Sequence, residues 1–129
     1  MQAIVNTVRN SFKSNLTVDV KWRKENLRNL LKLVDENENE LFEASIRDLK
    51  KNKLETGVFE FNLIRGAICH TLNHIDEWMK PQKASPPIQL RALYAPHIQK
   101  QPYGTVLIMG AWNYPYQLSL VLKKYCLYK

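Results

Sequence analysis

The segment Thr105-Val-Leu-Ile-Met-Gly-Ala-Trp-Asn-Tyr-Pro115 decides the reading of this chain. Thr105 to Met109 form a continuous apolar run rich in strand formers, the composition of a strand buried on both faces of a parallel sheet. Gly110 breaks the run. Pro115 suits the first position of a new helix, where its missing N–H costs nothing. Asn113 then falls in a strand-to-helix loop at the carboxyl end of the strand, the edge of an α/β sheet where ligands sit. An Asn amide there can donate a hydrogen bond to a developing oxyanion without carrying charge, and losing one such donor typically lowers a rate by ~10²–10³. By spacing alone the pattern is also ordinary turn chemistry, with Trp112 simply packing.

Upstream, the chain reads as helices. Ile4, Val5, Val8 and Phe12 recur at helical spacing and predict a short amphipathic helix over 2–13, broken at Ser14 to Thr17. A second helix is expected over 18–51. Leu27, Leu30, Leu31, Val34, Leu41, Ser45 and Leu49 lie near one stripe, and the acidic stretch Asp35 to Glu40 allows a kink. A third is expected over 54–80, with Phe61, Ile64, Ile68, Leu72, Ile75 and Met79 on one face and Pro81 as its terminator. Gln82 to Pro87 has linker composition. Strands are expected at about 88–95, 97–101 and 105–109. The fold expected is an α/β fragment, mostly helical: N-terminal helices, a hairpin and a first buried strand, spanning 1–120. Residues 121–129 form a separate basic tail.

Composition narrows the partners. The formal charge is +7, from 19 Lys and Arg against 12 Asp and Glu. Lys123, Lys124 and Lys129 supply three of those charges, and without them the excess falls to +4, which weakens a nucleic-acid reading. Cys69 and Cys126 are far apart, which suits free thiols in a reducing compartment, with Cys69 packed or half-buried in the third helix. No apolar run approaches the roughly 20 residues of a membrane helix, so no membrane segment and a cytoplasmic location are expected. His70 and His74 share a helix face at i, i+4, but no second pair completes a structural zinc site, so no metal is expected. Lys50, Lys51 and Lys53 read as a solvated turn.

Residues Gln99 to Tyr116, with Gly-Ala-Trp-Asn-Tyr-Pro at their heart, resemble the stretch by which class-three (fatty aldehyde type) aldehyde dehydrogenases enter their cofactor domain. Arg23, Leu27, Leu30, Leu33, Glu36-Asn37, Glu40-Leu41, Ala44, Asp48-Leu49 and Lys51 are similar to that branch's second helix. Glu60, Ile64, Trp78 and Pro81 are similar to its third. The resemblance covers roughly residues 4 to 120 and implies the family's chemistry. A cysteine thiolate attacks an aldehyde, an Asn side chain and a backbone N–H hold the oxyanion, hydride passes to NAD or NADP, and a glutamate-activated water hydrolyses the thioester. It implies Asn113 as the oxyanion donor and Met109, Gly110, Ala111 and Trp112 beside the cofactor.

After Leu118-Ser-Leu120 the resemblance is lost, and the family's nucleophile, glutamate base and glycine-rich turn find no counterpart in the sequence. Neither Cys69 nor Cys126 matches the nucleophile. There is no GxGxxG and no GxxxxGK[ST]. The expectation is a truncated form, inactive and cofactor-free alone, because grouped catalytic residues act as a unit. Two other roles remain open: a regulatory or dominant-negative partner that dimerises with full-length subunits, and a basic helical module touching anionic membrane or nucleic acid through Lys123, Lys124 and Lys129. The resemblance also implies that full-length relatives can be membrane-associated, beside the cytoplasmic location expected here.

Overall fold

The computed structural model describes residues 2–85, 87–88 and 94–128, with side chains as far as Lys123 in the last helix. Helix α1 spans Gln2–Lys13 and ends in a turn through Ser14 to Thr17, where Asn15 takes a left-handed conformation at φ 59°. Asp19 starts α2, Val20–Glu36, its side chain accepting the Lys21 N–H at 2.9 Å. The expected long second helix is two helices. Asn37 turns both its backbone N–H and its side-chain amide onto the Leu33 carbonyl, at 3.3 and 2.8 Å, and this local bonding competes with helix continuation. Helix α3 then runs Glu38–Leu49, with Glu38 and Glu40 in its first turn, and stops at Lys50, which is left-handed at φ 55°.

Asn52 caps the short α4, Lys53–Thr56, by accepting the Leu54 N–H at 2.8 Å. One π-turn, Gly57–Phe61, joins it to α5, Asn62–Trp78, which ends ahead of Pro81. Two-residue strands β1, Gln82–Lys83, and β2, His97–Ile98, pair antiparallel, with Gln82 opposite Ile98. Helix α6 spans Pro115–Tyr128.

Helix α5 is central and packs on both α2 and α6. Leu27, Leu30 and Val34 of α2 meet Phe61 from the π-turn and Ile64, Ile68 and Ile75 of α5, with Tyr116, Leu120 and Val121 of α6 against them. Two ion pairs flank this core. Lys24 Nζ lies 2.6 Å from Asp76, and Arg65 reaches Asp35 at 2.7 Å and Glu38 at 2.9 Å across the α2–α3 break. The hydrogen bonds to Glu38 and then Asp35 hold the Arg65 guanidinium's pKa above its usual value. Arg23 is also buried, its Nε donating to the Thr17 carbonyl at 2.6 Å, and burial holds its pKa below the usual value.

The strands differ most from expectation. Among the described residues β1 falls in the stretch read as a linker, and Gln89 to Leu93, the middle of the strand expected at 88–95, lie outside the described residues. The strand expected at 97–101 pairs only at its first two residues. The next position on the partner strand is Pro81, which has no N–H to continue the ladder. Residues 105–109 form no ladder, and Leu107 and Met109 are each 82% exposed. A strand needs a partner for its ladder, and none of the described residues supplies one.

Candidate functional site

The loop from Gly110 to Tyr114 leads directly into α6, and its geometry is set by what holds that helix's first turn. Pro115 occupies the first helical position, so the N–H groups of Tyr116 and Gln117 are next in line without helical acceptors. Both donate to Glu60 Oε2, at 2.9 and 3.3 Å. Glu60 comes from the π-turn and is 0% exposed, so an anion is held at the positive end of α6 inside the molecule. Its other oxygen, Oε1, accepts from Lys51 Nζ at 2.8 Å, and the Lys51 side chain is only 10% exposed. The same ammonium stands 3.9 Å from the centroid of the Tyr114 ring, the residue next to Asn113.

Further contacts fix α6 to the helices beneath. Tyr116 donates its hydroxyl to the Leu41 carbonyl at 2.9 Å, and its ring lies 5.6 Å from Phe61, which in turn meets Phe42 edge-on at 4.9 Å. At the other end of the loop, Gly110 approaches Ser119 so closely that a Cβ at position 110 would overlap the Ser119 hydroxyl and come within 3.2 Å of its Cβ. The loop is thus anchored at Gly110 and at Tyr114, with Trp112 and Asn113 forming an exposed turn between. Asn113, the expected oxyanion donor, is exposed in this turn.

Met109 to Trp112, expected beside a cofactor, form an open edge, with Trp112 79% exposed. The glycine among them is packed on Ser119. Two clefts near α1, one lined by Phe12, Arg23, Trp78 and Pro102 among others, include none of residues 109–113.

Two expectations are corrected. Lys51 belongs to no solvated turn: Glu60 draws it inward, while Lys50 and Lys53 stay exposed. Cys69 is exposed, since its neighbour Ile68 takes the inward position. Thr71 is fully buried as well, its hydroxyl donating to the Ala67 carbonyl at 2.9 Å, and Leu72 packs partly buried against the core as expected. His70 and His74 have ring centroids 4.3 Å apart, and His74 stacks on Trp78. No group of three or more potential metal ligands occurs among the described residues. Likewise no helix among them is long and apolar enough to cross a membrane. Cys126, Lys124 and Lys129 have side chains outside the described set. The roles of Glu60 and Lys51 were missed by the sequence reading. Both stood among the residues that resemble the family, and Glu60 also lies four residues before Ile64 on the buried stripe, but neither signal joined the two side chains.

Comparison with known proteins fits this arrangement. The aldehyde dehydrogenase family model matches residues 1–126, which runs past residue 120, where the divergent tail was expected to begin. Aldehyde dehydrogenase family 3 member H1 of Arabidopsis thaliana is 36% identical over 117 residues, 91% of this chain and 24% of its own length. Aldehyde dehydrogenase family 3 member B1 of Bos taurus is 35% identical, over 88% of this chain and 24% of its own length. The solved structure described as the substrate-bound state of Staphylococcus aureus AldH superposes with a TM-score of 0.87 at 32% identity, covering 91% of this chain and 25% of that one. The chain thus spans about a quarter of the length of the curated relatives it matches.

Proposed function

The chain belongs to the aldehyde dehydrogenase family, and from that premise we propose that its residues serve the oxidation of aldehydes to carboxylic acids, with Asn113 as oxyanion donor. The observation that carries the reading is the pairing of an exposed Asn113 with an anchored loop, just before a helix whose first turn is fixed from below. As a nucleophile attacks the aldehyde carbon, its carbonyl oxygen gains charge. A neutral amide already oriented toward that position stabilises the charge without reorganising. NAD or NADP, which the family generally uses, supplies the hydride acceptor. Met109 to Trp112 border that site as a wall, and the grip on the dinucleotide comes from elsewhere in the fold. In the same reading the substrates are fatty aldehydes, and the setting is the cytoplasm.

These 129 residues contribute the oxyanion side of the site and the helices that support it. By themselves they hold neither the nucleophile nor the base that the reaction needs, so they are expected to turn over no aldehyde alone. Residues 1–126 grafted in place of the equivalent first quarter of the Staphylococcus aureus enzyme should restore aldehyde-dependent NADH or NADPH formation. Asn113→Ala in that chimaera should lower kcat by ~10²–10³ with little change in KM. A chimaera that turns over normally with Ala at position 113 rules out the oxyanion role.

A further inference from the structure

We infer that Glu60 and Lys51 are positioning residues: together they clamp the first turn of α6 and the Tyr114 ring, and so fix the direction in which Asn113 points. The inference rests on the oxyanion reading for its purpose, but its geometry stands independently. Glu60 is the one fully buried acid among the described residues, and each of its oxygens has a partner on a different element. Oε2 takes two N–H groups of α6, and Oε1 takes the Lys51 ammonium from the segment between α3 and α4. Lys51 then touches Tyr114 from below at 3.9 Å.

The path to Asn113 is short. Tyr114 is its neighbour, and the Tyr114 carbonyl accepts the Leu118 N–H at 3.0 Å, so the first helical turn and the loop move as one piece. With Gly110 seated on Ser119 at the other end, the turn Ala111–Asn113 is suspended between two fixed points. A donor held in this way enters the reaction already oriented, whereas a swinging amide would have to be ordered in each turnover. The carboxylate comes from a π-turn, an irregularity frequent at functional sites.

Amide hydrogen exchange followed by NMR on the 129-residue chain tests the clamp without aldehyde or cofactor. The Tyr116 and Gln117 amides should be protected in the wild type, although first-turn amides ordinarily lack acceptors. Glu60→Ala should speed their exchange by about tenfold or more, the loss of hydrogen bonds to a charged group, and should raise the mobility of Trp112 to Tyr114 in relaxation measurements. Glu60→Gln keeps an acceptor and should restore much of the amide protection. Lys51→Met should shift the Tyr114 ring resonances and loosen the same loop. Amides at Ile64, Ile68 and Ile75 should stay slow in the Gln and Met variants, which separates a local clamp from a general loss of packing. Should Glu60→Ala unfold the core, the Gln and Met variants carry the test. Wild-type Tyr116 and Gln117 amides exchanging at unfolded rates would overturn the inference. So would a loop whose mobility ignores all three variants, or variants that loosen the core as much as the loop. Any of these leaves the oxyanion role of Asn113 to the kinetic test above, and failure of that test leaves the clamp standing.

Discussion

Single residues here are constrained by contact as much as by chemistry. Gly110 is needed for space: Ser119 fills the volume any side chain would enter. Gly110→Ala should therefore destabilise the α6 end of the molecule by about 1–3 kcal/mol, as overpacking does, and Ser119→Gly should recover much of the loss. Paired denaturant melts of the single and double variants provide the check, and equal midpoints for Gly110→Ala and wild type would refute the crowding. Ser45 presents the opposite case. Its hydroxyl is buried and makes no hydrogen bond, so the fold carries an unmet desolvation cost at that site. Ser45→Ala is expected to leave the melting temperature unchanged or raise it, and a clear drop would reveal a partner for that oxygen.

At the scale of elements, α5 does most of the work of assembly. It lies between α2 and α6 and contributes Ile64, Ile68 and Ile75 to the buried cluster. Ile68→Ala should cost about 2–5 kcal/mol through lost burial and the cavity left behind. In a core this small that is enough to remove a cooperative helix signal in circular dichroism, and a retained transition near the wild-type temperature would show that α5 is not central. The ion pairs on this helix matter less. Arg65 with Asp35 and Glu38 ties α5 to the α2–α3 break, but the group is partly solvated, and such pairs contribute ~0–1 kcal/mol. Their value is in register, since they fix which turn of α5 faces the break.

Across the whole molecule, the apolar surface is distributed unevenly. The helices bury theirs, while Tyr103, Leu107, Met109 and Trp112 stand exposed along one stretch, and Ile4 of α1 is also exposed. Unpaired strand formers with open backbone edges invite association. Sedimentation of the 129-residue chain should therefore show self-association that grows with concentration and is relieved by Leu107→Lys. A monomer at every concentration would mean that the exposed stretch folds back on its own body.

The sequence by itself determined the helical body and the family. Hydrophobic spacing of three and four picked out Leu27, Leu30, Val34, Ile64, Ile68 and Ile75, all of which the structure buries. That signal is local: residues three or four apart on one helix share a face whatever lies opposite. The Gly-Ala-Trp-Asn-Tyr-Pro segment was legible for the same reason, since turn and helix-start chemistry is written in adjacent residues. Only the tertiary structure decided the fate of Thr105 to Met109, because a strand exists by virtue of its neighbours and its own sequence cannot supply them. It alone joined Lys51 to Glu60, 9 residues along the chain, and Glu60 to Tyr116, 56 residues further on, a contact made only once α6 docks. A lysine in a basic turn looks solvated until a buried carboxylate is brought to it, and no spacing rule encodes that meeting.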